Sequence, residues 1–240
     1  MSGLSDDTRR LLAQASTATL TTQLFKRGLR NTFIQGVRRL TPGAPVMVGE
    51  AYTLRMIPAR EDLDHPSLLA GRDNPQRRAI EECPPGKVLV IDCRGKLAGG
   101  SLGDILIARL MQRGVAGVVT DGAIRDTPQV EPLAYPVYAG GAAAPASFGL
   151  HRAVDLDQPI GCGEVPVFPG DVLFGDGEGV VVIPRELADE IAPAAAEQER
   201  MEGWIVEQVR AGQGILGLYP PDEATLERYR ASPAGRQPRG

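Results

Sequence analysis

The apolar pattern begins at a helical period. Ser5 can cap a helix running through Arg9-Arg10-Leu11-Leu12, with Asp6 and Asp7 favourably placed against its dipole. Ser16 offers a second cap, for a helix ending near Lys26-Arg27 with Gly28 just beyond. From Ile34 to Ile57 the pattern turns strand-like, broken by Pro42-Gly43 and Pro45. Within it, Glu50 to Met56 alternates well enough for a half-buried strand. Pro58 to Asp73 is charged and irregular, a loop pattern. Asn74-Pro75 then starts a short helix through Arg78, Ile80 and Glu82, stopped by Pro84-Pro85-Gly86.

The middle of the chain predicts a different unit. Lys87 to Asp92 (KVLVID) suits a buried strand. Ser101 to Arg113 reads as a helix with Ile105, Leu106, Leu110 and Met111 on one face, closed by Gly114. Val115 to Thr120 is the next buried strand. Strand, helix, strand in this order implies a right-handed parallel crossover and an α/β fold. Pro136 to Ala139 is a further short strand, and Gly140 to Pro145 a small-residue loop. In Val165 to Pro184, Phe168-Pro169-Gly170-Asp171 is a turn, followed by two strands joined across Gly175-Asp176-Gly177-Glu178-Gly179. Arg185 to Arg210 is a long helix, kinked by Pro193 and ended by Gly212. Its Ile205, Val206 and Val209 need a partner, in the same subunit's sheet or in a neighbour. Residues 1–220 read as one domain and 221–240, polar and proline-containing, as a flexible tail.

Composition narrows the function classes. With 240 residues, 42% of them apolar, one proper core is affordable. The net charge of -4 leaves no basic footprint for nucleic acid, so Arg9-Arg10, Arg38-Arg39 and Arg77-Arg78 read as solvated faces. No run reaches the ~20 apolar residues that span a bilayer. Cys83, Cys93 and Cys162 are far apart, without metal spacing. Their odd number, and an N-terminus unlike a signal peptide, point to reduced thiols in the cytoplasm. A small-molecule partner fits better than nucleic acid or membrane.

The chemistry concentrates in Ala98 to Glu131. Gly99-Gly100-Ser101-Leu102-Gly103 can turn a strand into a helix and present amides and a positive dipole end to an anion. The dinucleotide fingerprint is absent, because its first glycine position is Ala98. Arg125-Asp126 ends the following strand, where ionisable residues are costly unless they face a cleft or each other. Arg125 offers a planar fork for a carboxylate and Asp126 hard oxygen for Mg2+ or Mn2+. Asp104, on the first turn of the helix, either points into the same cleft or is a helix-start acid. Asp176 and Glu178 read as turn residues. His65 precedes Pro66 in a polar loop and His151 heads an irregular segment, and neither has a neighbour at ligand or triad spacing.

These residues carry a resemblance. Gly103-Asp104, twenty residues, then Arg125-Asp126, with PPGKVLVIDCRG before and FPGDVLFGDGEGVVVIP after, resembles the family of 4-hydroxy-4-methyl-2-oxoglutarate aldolases and the regulator of ribonuclease activity A, over roughly residues 15–218. The resemblance implies a layered α/β/β-type sandwich with N-terminal helices and a long C-terminal helix, assembled as a homotrimer or homohexamer with clefts between subunits. It implies a divalent-metal-dependent aldolase releasing pyruvate from a 4-hydroxy-2-oxo acid, with oxaloacetate decarboxylation as a side activity. The alternative is a non-enzymatic inhibitor of an RNA-degrading endonuclease. Carried over, Asp126 would hold Mg2+ or Mn2+ and Arg125 the keto-acid oxygen. Asp104 would orient water or move a proton, and Gly103, Ile105 and Leu106 would bind the pyruvyl carboxylate. An acid of a neighbour's C-terminal helix, Glu202 or else Glu199, would complete the metal site. Two departures bear on the substrate. Gln129 stands where the family often has an acid, and the 58–73 loop is long. From that loop or beside it, Arg55, Arg60 and Arg72 are candidates to read a second carboxylate.

Overall fold

The structure is a computed structural model that describes residues 3–236 except 66, 68–70 and 72. Helices α1 (Asp6–Leu12) and α2 (Thr17–Lys26) start where Ser5 and Ser16 accept from the amides of Thr8 and Thr19. Strands β1 (Arg38–Arg39) and β2 (Met47–Pro58) follow, then α3 (Pro75–Glu82), capped by Asn74. The central unit is β3 (Val88–Asp92), β4 (Gly100–Leu102), α4 (Asp104–Gln112) and β5 (Gly117–Ile124). Next come α5 (Thr127–Val130), β6 (Val137–Ala142) and β7 (His151–Leu156). The short pair β8 (Ile160–Cys162) and β9 (Val165–Val167) precedes the hairpin of β10 (Val172–Gly175) and β11 (Val180–Ile183). Helices α6 (Arg185–Arg210) and α7 (Glu223–Ala231) close the chain.

One sheet runs β1-β6-β5-β3-β2-β10-β11, with β4 also on β5 and β7 also on β2. Its centre, β2, β3, β5 and β6, is parallel, as the strand-helix-strand reading requires. The sheet nearly closes on itself. The Ile34 amide donates to Val180 O on the β11 edge (2.9 Å), while Arg38 pairs with Ala139 on the β6 edge.

Near-closure explains the apolar runs. Side chains alternate across a strand, and here both faces are covered. Leu89 and Ile91 meet α3 and α4 through Ile80, Ile107 and Leu110. Val88 and Val90 turn the other way, to Val119, Tyr138, Leu173 and the β8–β9 residues Ile160, Cys162, Val165 and Val167. A third cluster sets Val172, Phe174, Val181 and Ile183 against Leu12, Leu20, Leu24 and Ile191 of the terminal helices. Each fully buried side chain of this kind contributes about 1.5–3 kcal/mol. Helices, sheet and inner β-pair make the expected α/β/β layering.

Four expectations are corrected. Ser101 belongs to β4, not to a helix, because the glycine turn stays extended long enough to pair with β5 before α4 starts at Asp104. That delay rotates the helix: Ile107 and Leu110 are buried, whereas Ile105 is 78% exposed and Met111 is exposed. The segment from His151 carries strands rather than irregular chain. The tail from 221 is a helix as far as Ala231. Asp222 caps α7, and Tyr229 anchors it, with its ring 5.7 Å from that of Trp204 and its hydroxyl donating to Glu197. Residues 237–240 lie outside the described residues.

Candidate active site

All eight residues of β5 are buried, and the strand delivers Arg125 and Asp126 directly to the surface. Arg125 is held by its amide, which donates to Leu102 O of β4 (2.7 Å). Asp126 then adopts φ 55°, ψ 36°, a left-handed conformation that a non-glycine residue takes up at a cost, and it caps α5 from there. Two glycines make the approach of β4 to this corner possible. A Cβ on Gly100 would lie 2.8 Å from the Arg125 amide nitrogen, and one on Gly103 would overlap Asp126 Oδ2. The glycine turn is therefore a steric requirement of the acid and the arginine beside it.

Gly103 caps α4 without a side chain, so Asp104 and the first amides of the helix open onto the same space. Asp104 Oδ1 accepts from the Ile105 amide (2.7 Å). The cleft has a volume of about 210 Å³ and is lined by Gly103, Asp104, Ile105, Leu106, Arg125 and Asp126. All the residues read from the sequence as catalytic or substrate-binding thus meet in one place. Arg125 Nε is buried with no hydrogen-bond partner among the described residues, as suits a fork awaiting an anion. Among the described residues no three His, Cys, Asp or Glu gather into a metal cage. Asp126 with Asp104 supplies hard oxygen, and Mg2+ commonly takes one or two carboxylates and completes its shell with water. The donor set fits such a cation.

Other candidates go elsewhere. Glu202 accepts from Gln198 Nε2 (2.8 Å) on its own helix, and Glu199 has one carboxylate oxygen buried without a partner among the described residues; neither lines this chain's cleft. Arg55 is paired with Asp155 and Arg60 with Asp62, so neither is free for a ligand. Arg72 lies outside the described residues. Asp176 accepts from Thr17 N and Oγ1, and Glu178 from Thr17 Oγ1, so the turn reading holds.

The opposite wall of the cleft escaped the sequence. Gln76 and Arg77 of α3 line it, as do Ala146, Ser147 and Phe148. Gln76 Nε2 donates to Ser101 O and so ties α3 to the glycine turn. Gln76, Ser147 and Phe148 also border a second cavity of about 360 Å³, which holds both histidines, His65 and His151, and the Arg152–Asp64 ion pair (2.9 Å). His151 Nε2 donates to Cys93 O (2.9 Å), and burial holds its pKa below the ordinary value. It is a buried histidine whose ring is tied to the backbone of the core. Asp121 is likewise structural: its carboxylate accepts from the amides of Cys93 (2.6 Å) and Gly95 (2.9 Å), and burial pushes its pKa up.

The RraA-like family model, described as Aldolase/RraA, matches residues 17–182, a span that contains the cleft and excludes α6 and α7. A putative 4-hydroxy-4-methyl-2-oxoglutarate aldolase of Halalkalibacterium halodurans is 36% identical over 143 residues, 58% of this chain and 68% of that protein. The 4-hydroxy-4-methyl-2-oxoglutarate aldolase of Thermus thermophilus is 33% identical over 109 residues, 45% of this chain and 66% of its own length. The crystal structure of Streptomyces coelicolor RraAS2, described as an unusual member of the RNase ES inhibitor RraA protein family, superposes with a TM-score of 0.74. It is 33% identical, and the match covers 85% of this chain and 98% of that one. The chain spans about two thirds of the length of the two aldolase relatives.

Proposed function

The chain belongs to the RraA-like family, and from that premise we propose that it is an aldolase that releases pyruvate from a 4-hydroxy-2-oxo acid. The observation that carries this reading is the single cleft lined by Arg125, Asp104, Asp126 and the open start of α4. An anion carboxylate accepts from the amides of Ile105 and Leu106, where the helix dipole favours negative charge. The Arg125 fork faces the 2-oxo oxygen. As the C3–C4 bond breaks, its electrons move to that oxygen as an enolate, and the fixed guanidinium stabilises the charge that develops. Asp104, through water, takes the proton of the 4-hydroxyl, which becomes the carbonyl of the departing fragment. Reprotonation at C3 completes pyruvate. Asp126 would hold Mg2+ or Mn2+, with Asp104 reaching it through water. When bound, such a cation supplies Lewis-acid polarisation of the 2-oxo group. Oxaloacetate decarboxylation needs the same enolate and is proposed as a side activity.

The test is pyruvate release from a panel of 4-hydroxy-2-oxo acids with Mg2+, and its loss on adding a chelator. No pyruvate from any of them would remove the reading. The likeness to the Streptomyces coelicolor protein favours one other reading, a regulator that binds an endonuclease; inhibition that survives Arg125→Ala would support it. We also propose that the active unit is a homotrimer or homohexamer in which Glu202 serves a neighbour's cleft, since Val206, Val209 and Leu216 leave an exposed apolar C-terminal surface. Mixed Glu202→Ala and Asp126→Ala subunits should recover activity in hybrid sites; a fully active monomer by light scattering would refute the arrangement.

A further inference from the structure

Arginines on α3 and α4 are mostly neutralised by neighbours. Arg78 pairs with Glu82 (2.7 Å), while Arg109 (2.7 Å) and Arg113 (3.8 Å) share Glu81. Glu81 stands four residues after Arg77, the ordinary helical position for a partner of Arg77, yet it reaches across to α4 instead. Among the described residues Arg77 forms no ion pair, and it is half-buried in the wall of the cleft. Among the described residues, then, two arginine forks of the cleft have no acid partner: Arg125 at the end of β5, and Arg77 on α3.

Charge balance points the same way. Among the described residues the charged groups lining the cleft are Arg77, Arg125, Asp104 and Asp126, and these four cancel. A divalent cation leaves two positive charges, which one carboxylate only halves and two carboxylates neutralise. Arg55 and Arg60, the other described candidates for a second carboxylate, already hold Asp155 and Asp62. The geometry points to Arg77 as the specificity-determining residue that binds the distal carboxylate of a dicarboxylic 2-oxo acid, with Gln76 fixing α3 against the glycine turn so that the guanidinium stays at the cleft. This rests on the aldolase reading for its chemistry, though not for its test.

Calorimetric binding of 2-oxoglutarate and 2-oxovalerate, equal in chain length and different only in the distal carboxylate, separates the two without turnover. In Mg2+ the unaltered protein should prefer 2-oxoglutarate. Arg77→Ala should weaken 2-oxoglutarate about 10–100-fold and leave 2-oxovalerate unchanged, with Arg77→Lys between, since a point charge replaces only part of the fork. Unchanged circular dichroism would confirm the fold of both variants. Equal weakening of both ligands, or no preference in the unaltered protein, overturns the assignment. A preference that depends on Arg77 in a protein that releases no pyruvate upholds it and removes the aldolase reading instead.

Discussion

Asp176 and Asp126 are both acids just beyond the end of a buried strand, and their surroundings set them apart. Asp176, in the turn between β10 and β11, accepts from the first amide of α2 and from the Thr17 hydroxyl, and Glu178 joins it there. Tyr138, from the far side of the nearly closed sheet, donates to Asp176 O (2.9 Å). Every one of these contacts fastens the N-terminal helices or closes the sheet. At the end of β5 the acid is exposed, its backbone is left-handed, and the arginine before it has a buried nitrogen without a partner among the described residues. An acid whose hydrogen bonds the fold already satisfies is structural; one held in place by backbone and glycine clearance, with its oxygens left open, is available to a ligand.

The sharpest way to break this comparison is to remove the open groups. Arg125→Ala and Asp126→Ala should each lower pyruvate release at least ~100-fold, the range for losing one oxyanion donor, with unchanged circular dichroism. Near-normal turnover in either would place the chemistry elsewhere. Glycine clearance gives the next effect. Gly103→Ala pushes a methyl into Asp126 Oδ2, and a displacement near 1 Å costs on the order of 100-fold in rate. Gly177→Ala meets nothing within 4 Å and should leave rate and stability within about 0.5 kcal/mol. Equal outcomes in steady-state kinetics for the two glycines would erase the distinction.

On the structural side, Asp176→Ala strands the buried Thr17 amide and should cost about 1–3 kcal/mol in urea unfolding without lowering kcat. A loss of kcat at unchanged stability would move Asp176 to the functional side. The smallest effect belongs to His151. Burial holds its pKa below the ordinary 6.5, so below that pH the unfolded chain binds a proton that the native chain refuses, and stability falls as pH drops. The urea midpoint should decline from pH 7 to pH 5, and His151→Gln should remove part of that decline. An unchanged slope would show that His151 carries charge in the folded protein.

The sequence by itself determined the helices with strong caps, at Ser5, Ser16 and Asn74, because a cap is a contact within a few residues. It determined the buried strands β3, β5, β10 and β11 as well, since a strand covered on both faces must be largely apolar. The cleft residues were legible for a related reason: Gly103-Asp104 and Arg125-Asp126 are brought together by one strand-helix-strand unit, whose geometry is local. Only the tertiary structure decided the rest. The phase of α4 depends on how long the glycine turn stays paired to β5, and that pairing involves residues more than twenty positions apart. Helix α7 depends on Tyr229 reaching Trp204 of another helix, so its polar, proline-flanked sequence looked like a tail. Arg77 read as part of a solvated face because a chain of net charge -4 has no basic footprint, and Glu81 stands four residues on, at the spacing of a helical partner. Arg77 became a cleft residue when the packing of α3 on α4 gave Glu81 to Arg109. Which acid neutralises which arginine is settled by distances of a few ångströms between elements, and a charge pattern along one helix does not contain them.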